Sequence, residues 1–161
     1  MTQHRRAQMG AVAPVVRHRY GISVPEGAEI LTLHGGLPVE YLCPGDRVIT
    51  RDGARNLAGV RAAVLRDAVL ARVALGSLGH DRPDAALHLS PDQPLLIRDW
   101  RAKALFGVRM AMVPASRLAD GSFIRLERLA QQRIYHLHFA NPVVIYAGGL
   151  ELGCLTERVP A

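Results

Sequence analysis

Turn chemistry interrupts this chain so often that short strands are the element it best accommodates. His34-Gly35-Gly36, Pro44-Gly45, Asp52-Gly53 and Ala119-Asp120-Gly121-Ser122 all carry residues that accept positive φ or fix a reverse turn. Between these breaks lie brief apolar or alternating runs: Glu29–Leu33, Arg47–Thr50, Leu87–Leu89, Leu95–Ile97, Met110–Val113, Phe123–Leu129, Ile134–Phe139 and Val143–Tyr146. Each has the length and period of a strand, and Asn141-Pro142 reads as the hairpin turn between the last two. Residues 57–76 are ambiguous. Their alanines favour a helix, yet Val69, Ala71, Val73 and Leu75 alternate with Leu70, Arg72 and Ala74 as on a half-buried strand. Trp100–Phe106 fits a short helix or an irregular excursion, and a helical turn follows Pro114. The fold class this pattern implies is all-β.

The chain has 161 residues, 49% of them hydrophobic and 21% charged, which suits one soluble globular domain with a real core. No apolar run approaches the ~20 residues of a membrane helix. The first twenty residues, basic and broken by Pro14, make a poor signal peptide, so the cytoplasm is the default location. They read as a mobile arm, residues 21–157 as the domain, and 158–161 as a tail. The net charge of +6 raises nucleic acid or an acidic membrane as partner. Against both, the charge is scattered arginine, Lys103 being the one lysine, and aromatics are too sparse for a stacking platform. Neither nucleic acid nor a membrane is expected as a partner. Cys43 and Cys154 make no disulfide framework and have no zinc-site spacing, so both read as free thiols.

Several ordered blocks carry a resemblance. Residues 37–53, Leu-Pro-Val-Glu-Tyr-Leu-Cys-Pro-Gly-Asp-Arg-Val-Ile-Thr-Arg-Asp-Gly, are followed by Leu89-Ser90-Pro91-Asp92-Gln93-Pro94. Upstream stands Ser23-Val24-Pro25-Glu26-Gly27-Ala28-Glu29-Ile30. Downstream come Leu105-Phe106-Gly107, Met112-Val113-Pro114-Ala115, Tyr135-His136-Leu137 and Ile145-Tyr146-Ala147-Gly148-Gly149-Leu150. In order and spacing they resemble the Hint (hedgehog/intein) domain family, in particular its stand-alone bacterial type. The resemblance implies a compact, horseshoe-shaped fold of many short strands, and it resolves residues 57–76 in favour of strand.

It also implies a chemistry. Such domains cleave the peptide bond before their first residue, whose Cys or Ser side chain attacks the preceding carbonyl in an N-to-S/O acyl shift. Carried over, the nucleophile is Ser23 and the scissile bond Ile22–Ser23, with the chain's own N-terminal segment as intramolecular substrate. A serine hydroxyl is a weak nucleophile that needs activation, and departure of the amine needs a proton. The family supplies that proton from a histidine whose position here holds Gln93, which cannot ionise near neutral pH. Losing a positioned general acid costs roughly 10²–10⁴ in rate. Ser90 holds the position whose hydroxyl helps orient the scissile bond, and Pro142 falls where the family often has another histidine. The expectation is a degenerate site, inert or at most a slow autoprotease. Splicing, which needs a terminal asparagine, is not expected, since Asn56 and Asn141 are the only asparagines and both are internal.

The remaining residues are weighed against structural roles. His136 and His138, two apart on a strand, share a face. A metal would need a third ligand that no spacing offers, while His136 is a candidate substitute acid. The catalytic candidates are therefore Ser23, Ser90, Gln93 and His136, with no cofactor and no metal. Asp46 suits a turn cap, and Trp100 reads as a packing anchor. The alternative to autoprocessing is a non-catalytic module on the same scaffold, binding an unknown protein partner.

Overall fold

The computed structural model describes residues 16–80 and 82–160. The strands are β1 (Val16–Pro25), β2 (Glu29–Thr32), β3 (Gly35–Pro38), β4 (Arg47–Thr50), β5 (Gly53–Asn56), β6 (Gly59–Val73), β7 (Leu87–Leu89) and β8 (Pro94–Ile97). Helix α1 (Trp100–Phe106) precedes β9 (Ala111–Pro114), β10 (Ile124–Phe139), β11 (Val144–Ala147), β12 (Leu150–Gly153) and β13 (Leu155–Pro160). One sheet runs β13-β1-β10-β6-β7. The other runs β3-β2-β4-β11-β12-β8-β9, with β5 beside β4. The all-β expectation holds. Among the described residues no helix is long and apolar enough to cross a membrane.

Turn chemistry acts where the sequence placed it. Asp46 Oδ2 accepts the Cys43 N–H at 2.8 Å, closing the turn into β4, and Gly45 there has φ +94°. Thr50 Oγ1 donates to the Gly53 carbonyl at 2.6 Å and accepts the Asp52 N–H at 3.1 Å, fixing the β4–β5 hairpin. Gly148 and Gly149, at φ +55° and +81°, form the two-residue link between β11 and β12, a conformation that matches strand twist but disfavours a Cβ. A methyl on Gly148 would also sit 2.8 Å from Leu87 Cδ1. Gly148→Ala should therefore cost about 1–2 kcal/mol from backbone strain, plus whatever displacing Leu87 adds. The denaturation midpoint at an unchanged m-value reports it.

Several local expectations need correction. Gly35 and Gly36 belong to β3 rather than to a turn. Phe123–Leu129 and Ile134–Phe139 are not separate strands; all but Phe123 lie in β10, which pairs with β6 from Ile124↔Val73 to His138↔Gly59. Ala130-Gln131-Gln132-Arg133 breaks the apolar pattern because the ribbon is largely exposed there, while the ladder needs only backbone. The same long ladder overrides the helix propensity of the alanines in β6. Asn141-Pro142 is no hairpin turn, since β10 and β11 lie in different sheets; it is the corner where the chain changes sheet. Val16–Tyr20, read as the end of a mobile arm, form the first half of β1 and pair with β13, which also takes up residues 158–160 of the supposed tail. Residues 1–15 lie outside the described residues.

The core fills the space between the sheets. Ile22, Val24, Leu137 and Phe139 come from one, and Ile30, Val48, Leu95, Ile97, Val113, Ile145, Leu150 and Leu152 from the other. Beneath the surface Glu151, only 4% exposed, receives Arg51 at 3.0 Å and Arg98 at 2.7 Å, with Arg82 at 3.7 Å. These guanidinium groups come from three connections and tie them to β12.

Candidate functional site

Ser23 sits on β1 between the buried side chains of Ile22 and Val24 and is itself 8% exposed. On β10 its partner is His136. The Glu26 N–H donates to the Arg133 carbonyl at 3.0 Å, which sets the parity of this antiparallel ladder: even-numbered groups of β1 face β10, and odd-numbered ones face away. Ser23 and His136 thus form a non-hydrogen-bonded pair, the kind in which side chains approach most closely. Accordingly Ser23 Oγ lies 2.8 Å from His136 Nδ1. When Nδ1 is unprotonated the hydroxyl donates to it, which is the relation of a nucleophile to its base. The same parity turns the Ile22 carbonyl towards β10, where Leu137 stands opposite.

The Ser23 N–H, facing the other way, donates to Gln93 Oε1 at 2.9 Å. Gln93 lies at the end of a tight turn, its N–H bonded to the Ser90 carbonyl at 3.0 Å, with Pro91 supplying the φ that such a turn wants. The turn is pinned from outside, the Ala115 N–H donating to the Gln93 carbonyl at 3.0 Å and the Ser116 N–H to Pro91 at 2.8 Å. Within it the Gln93 side chain is fully buried. Its Nε2 donates to the Gly153 carbonyl at 2.8 Å and to Pro94 at 3.0 Å. A flipped amide would set donor against donor and acceptor against acceptor, so this network allows one orientation.

The arrangement also has a meaning for the sheets. The register that pairs Gly21 with Leu155 would place Ser23 opposite Gly153, at the point where β12 departs into the second sheet. There the Gln93 carboxamide stands between the two strands as an inserted peptide unit, accepting from Ser23 and donating to Gly153.

The structure therefore gathers Ser23, Gln93 and His136 within hydrogen-bond reach. Ser90 joins them through its backbone carbonyl, on the turn that carries Gln93. His138, two residues from His136, stands opposite Gly21 and Gly59. Pro142 lies on the flank of the site, lining a cavity of about 210 Å³ with Asp52, Met112, Val143, Val144, Gly153 and Cys154. Cys154 Sγ accepts the Val143 N–H at 3.5 Å, and burial pushes its thiol pKa up, making it a poor nucleophile. Gly153 and Pro94, whose carbonyls hold Gln93, were not found from sequence; a backbone acceptor leaves no side-chain signal. Trp100, read as a packing anchor, is instead 70% exposed. Arg101 stacks over its ring at 5.0 Å.

A scan against family models matches residues 22–158 to the Hint domain. Among solved structures, the bacterial intein-like domain from Clostridium thermocellum superposes with a TM-score of 0.57 at 16% identity, over 83% of this chain and 97% of that one. The MchDnaB-1 intein gives 0.54 at 13% identity over 80% and 98%. The gp41-1 intein gives 0.52 at 12% identity over 82% and 97%. These likenesses establish the fold. No curated protein matches. With the family model covering most of the molecule and the fold agreeing, the chain belongs to the Hint domain family.

Proposed function

We propose that this Hint domain is a disarmed self-processing module, whose reaction is cleavage of its own Ile22–Ser23 bond at a very low rate or not at all. The observation that carries this reading is the Ser23 N–H resting on Gln93 Oε1, with both hydrogens of the Gln93 amide committed to carbonyls. In the forward step Ser23 Oγ adds to the Ile22 carbonyl carbon and its proton passes to His136 Nδ1. The C–N bond then breaks, and the departing Ser23 nitrogen must gain a proton as the ester forms. Water would complete the reaction by freeing the Ile22 carboxylate and restoring the Ser23 hydroxyl. The nucleophile has its base, but the leaving nitrogen faces an acceptor where a donor is needed. The scissile bond also lies in regular ladder backbone, paired with β10. Splicing is no part of this reading, and the substrate is the chain's own segment ahead of Ser23.

Intact-mass measurement after long incubation with hydroxylamine is the direct test. Full-length protein with at most a trace of chain beginning at Ser23 is the expected result. Ser23→Ala or His136→Ala should abolish the trace, and Ser23→Ala should cost only about 1 kcal/mol of stability for its lost hydrogen bond. Rapid quantitative cleavage in the native sequence would refute the reading. The second reading, a non-catalytic binding module, is favoured by one observation: the exposed apolar side chains of the β8–β9 connection.

A further inference from the structure

We propose that the tip formed by residues 98–110 is a docking surface for an anionic lipid membrane. β8 and β9 pair from Pro94↔Pro114 to Ile97↔Ala111, so the segment between them is the tip of a hairpin. Its inner side holds it to the body. Ala102 is buried, Arg117 stacks on Phe106 at 5.4 Å, and Arg98 reaches Glu151 at 2.7 Å. Apart from Ala104 and Gly107, the exposed residues of the tip are large and apolar or cationic. Trp100, Leu105, Val108 and Met110 are 70%, 58%, 45% and 49% exposed, and Lys103 and Arg109 are exposed among them. Residues 98–110 carry four cations, Arg98, Arg101, Lys103 and Arg109, and one acid, Asp99. Arg98 is paired with Glu151 and Arg101 with Asp99, which leaves Lys103 and Arg109 as the exposed charges outside those pairs. Phe123, 57% exposed, shares a cleft with Trp100 and extends the apolar surface past the tip.

This composition matches the interface of a bilayer. A tryptophan and aliphatic side chains can enter the headgroup layer while lysine and arginine lay apolar stems alongside and keep their charges among anionic headgroups. A folded partner would need a surface shaped to a protruding tip, whereas a membrane accepts one without prior complementarity. Scattered arginine argued against a membrane at the level of sequence. What changes the reading is that the local cations share one tip with apolar side chains left outside the core. The inference is independent of whether Ile22–Ser23 is ever cleaved.

Trp100 is the chain's one tryptophan, so native fluorescence reports on the tip without any variant. Vesicles of equal parts phosphatidylcholine and phosphatidylglycerol should shift its emission to the blue, and brominated acyl chains should quench it. Pure phosphatidylcholine should do neither, and salt should reverse the shift. Lys103→Glu with Arg109→Glu should lower co-flotation with the anionic vesicles about tenfold or more. Trp100→Ala with Leu105→Ala should abolish it, and these exposed positions leave the core untouched. An emission unmoved by anionic vesicles at low salt overturns the proposal, as does flotation that survives loss of Trp100 and Leu105. Trp100-dependent capture of a soluble protein, without vesicle binding, overturns it in favour of a protein partner.

Discussion

Histidine at position 93 together with cysteine at position 23 should release a chain beginning at residue 23, visible by intact mass within hours where the native protein stays whole. The expected gain from the acid alone is roughly 10²–10⁴ in rate, and the thiolate adds to it as the better nucleophile. The geometry explains why both changes are wanted. Gln93 Oε1 lies 2.9 Å from the nitrogen that must leave, so an imidazole there has its target within reach. Ser23 already meets His136 at 2.8 Å, so under the proposed reaction its hydroxyl has a base at hand and a thiol would supply the missing reactivity. Gln93→His alone should give slower but detectable cleavage, and Ser23→Cys alone should stay close to native, because a better nucleophile does not protonate the leaving amine. A double variant that keeps its strand-rich circular dichroism yet resists thiol and hydroxylamine would sink the assignment of the site.

Gln93→Met should be among the most destabilising substitutions in the domain despite conserving volume. It fills the same space but leaves the Ser23 N–H and the Gly153 carbonyl buried without partners, at about 1–3 kcal/mol for each orphaned group. Gln93→Ala should cost no more than this and could cost less, since the space it opens can admit a water bridging the same two atoms. Urea denaturation with matched m-values separates the two. A methionine variant within about 1 kcal/mol of native would show that the carboxamide bridge contributes little to stability. Gln93→His falls between, since two ring nitrogens can serve Ser23 and Gly153 but leave Pro94 without its bond.

Much of this was legible in the sequence because turn dipeptides and apolar alternation are local. Asp46, Thr50 and Gly53 act within a few residues of themselves, so β4 and the turn after it are readable locally, whereas β5 (Gly53–Asn56) gave no such signal. Of the candidate residues, Ser23 and Gln93 come from block order and spacing and His136 from its place on a strand, and the fold brings the three within hydrogen-bond reach. What stayed hidden was register and environment. Nothing in Asn141-Pro142 tells whether the next strand turns back on β10 or crosses to another sheet. The gap in apolar pattern at residues 130–133 looks like a break until β6 is seen running beside it. Trp100 was assigned inward because large aromatics usually pack, and only coordinates reveal that its hairpin tip leaves it outside.

β1 is gripped on both edges: Val16–Gly21 pair with β13, and Tyr20–Pro25 with β10. Severing the backbone after Ile22 would therefore leave the severed piece zipped between two neighbours, with its new end beside the group that cut it. Gel filtration or light scattering under native conditions would still report one particle, and the nick would appear only once denaturant loosened the sheet. Any ester formed there would also find its amine nearby, so rejoining would compete with hydrolysis.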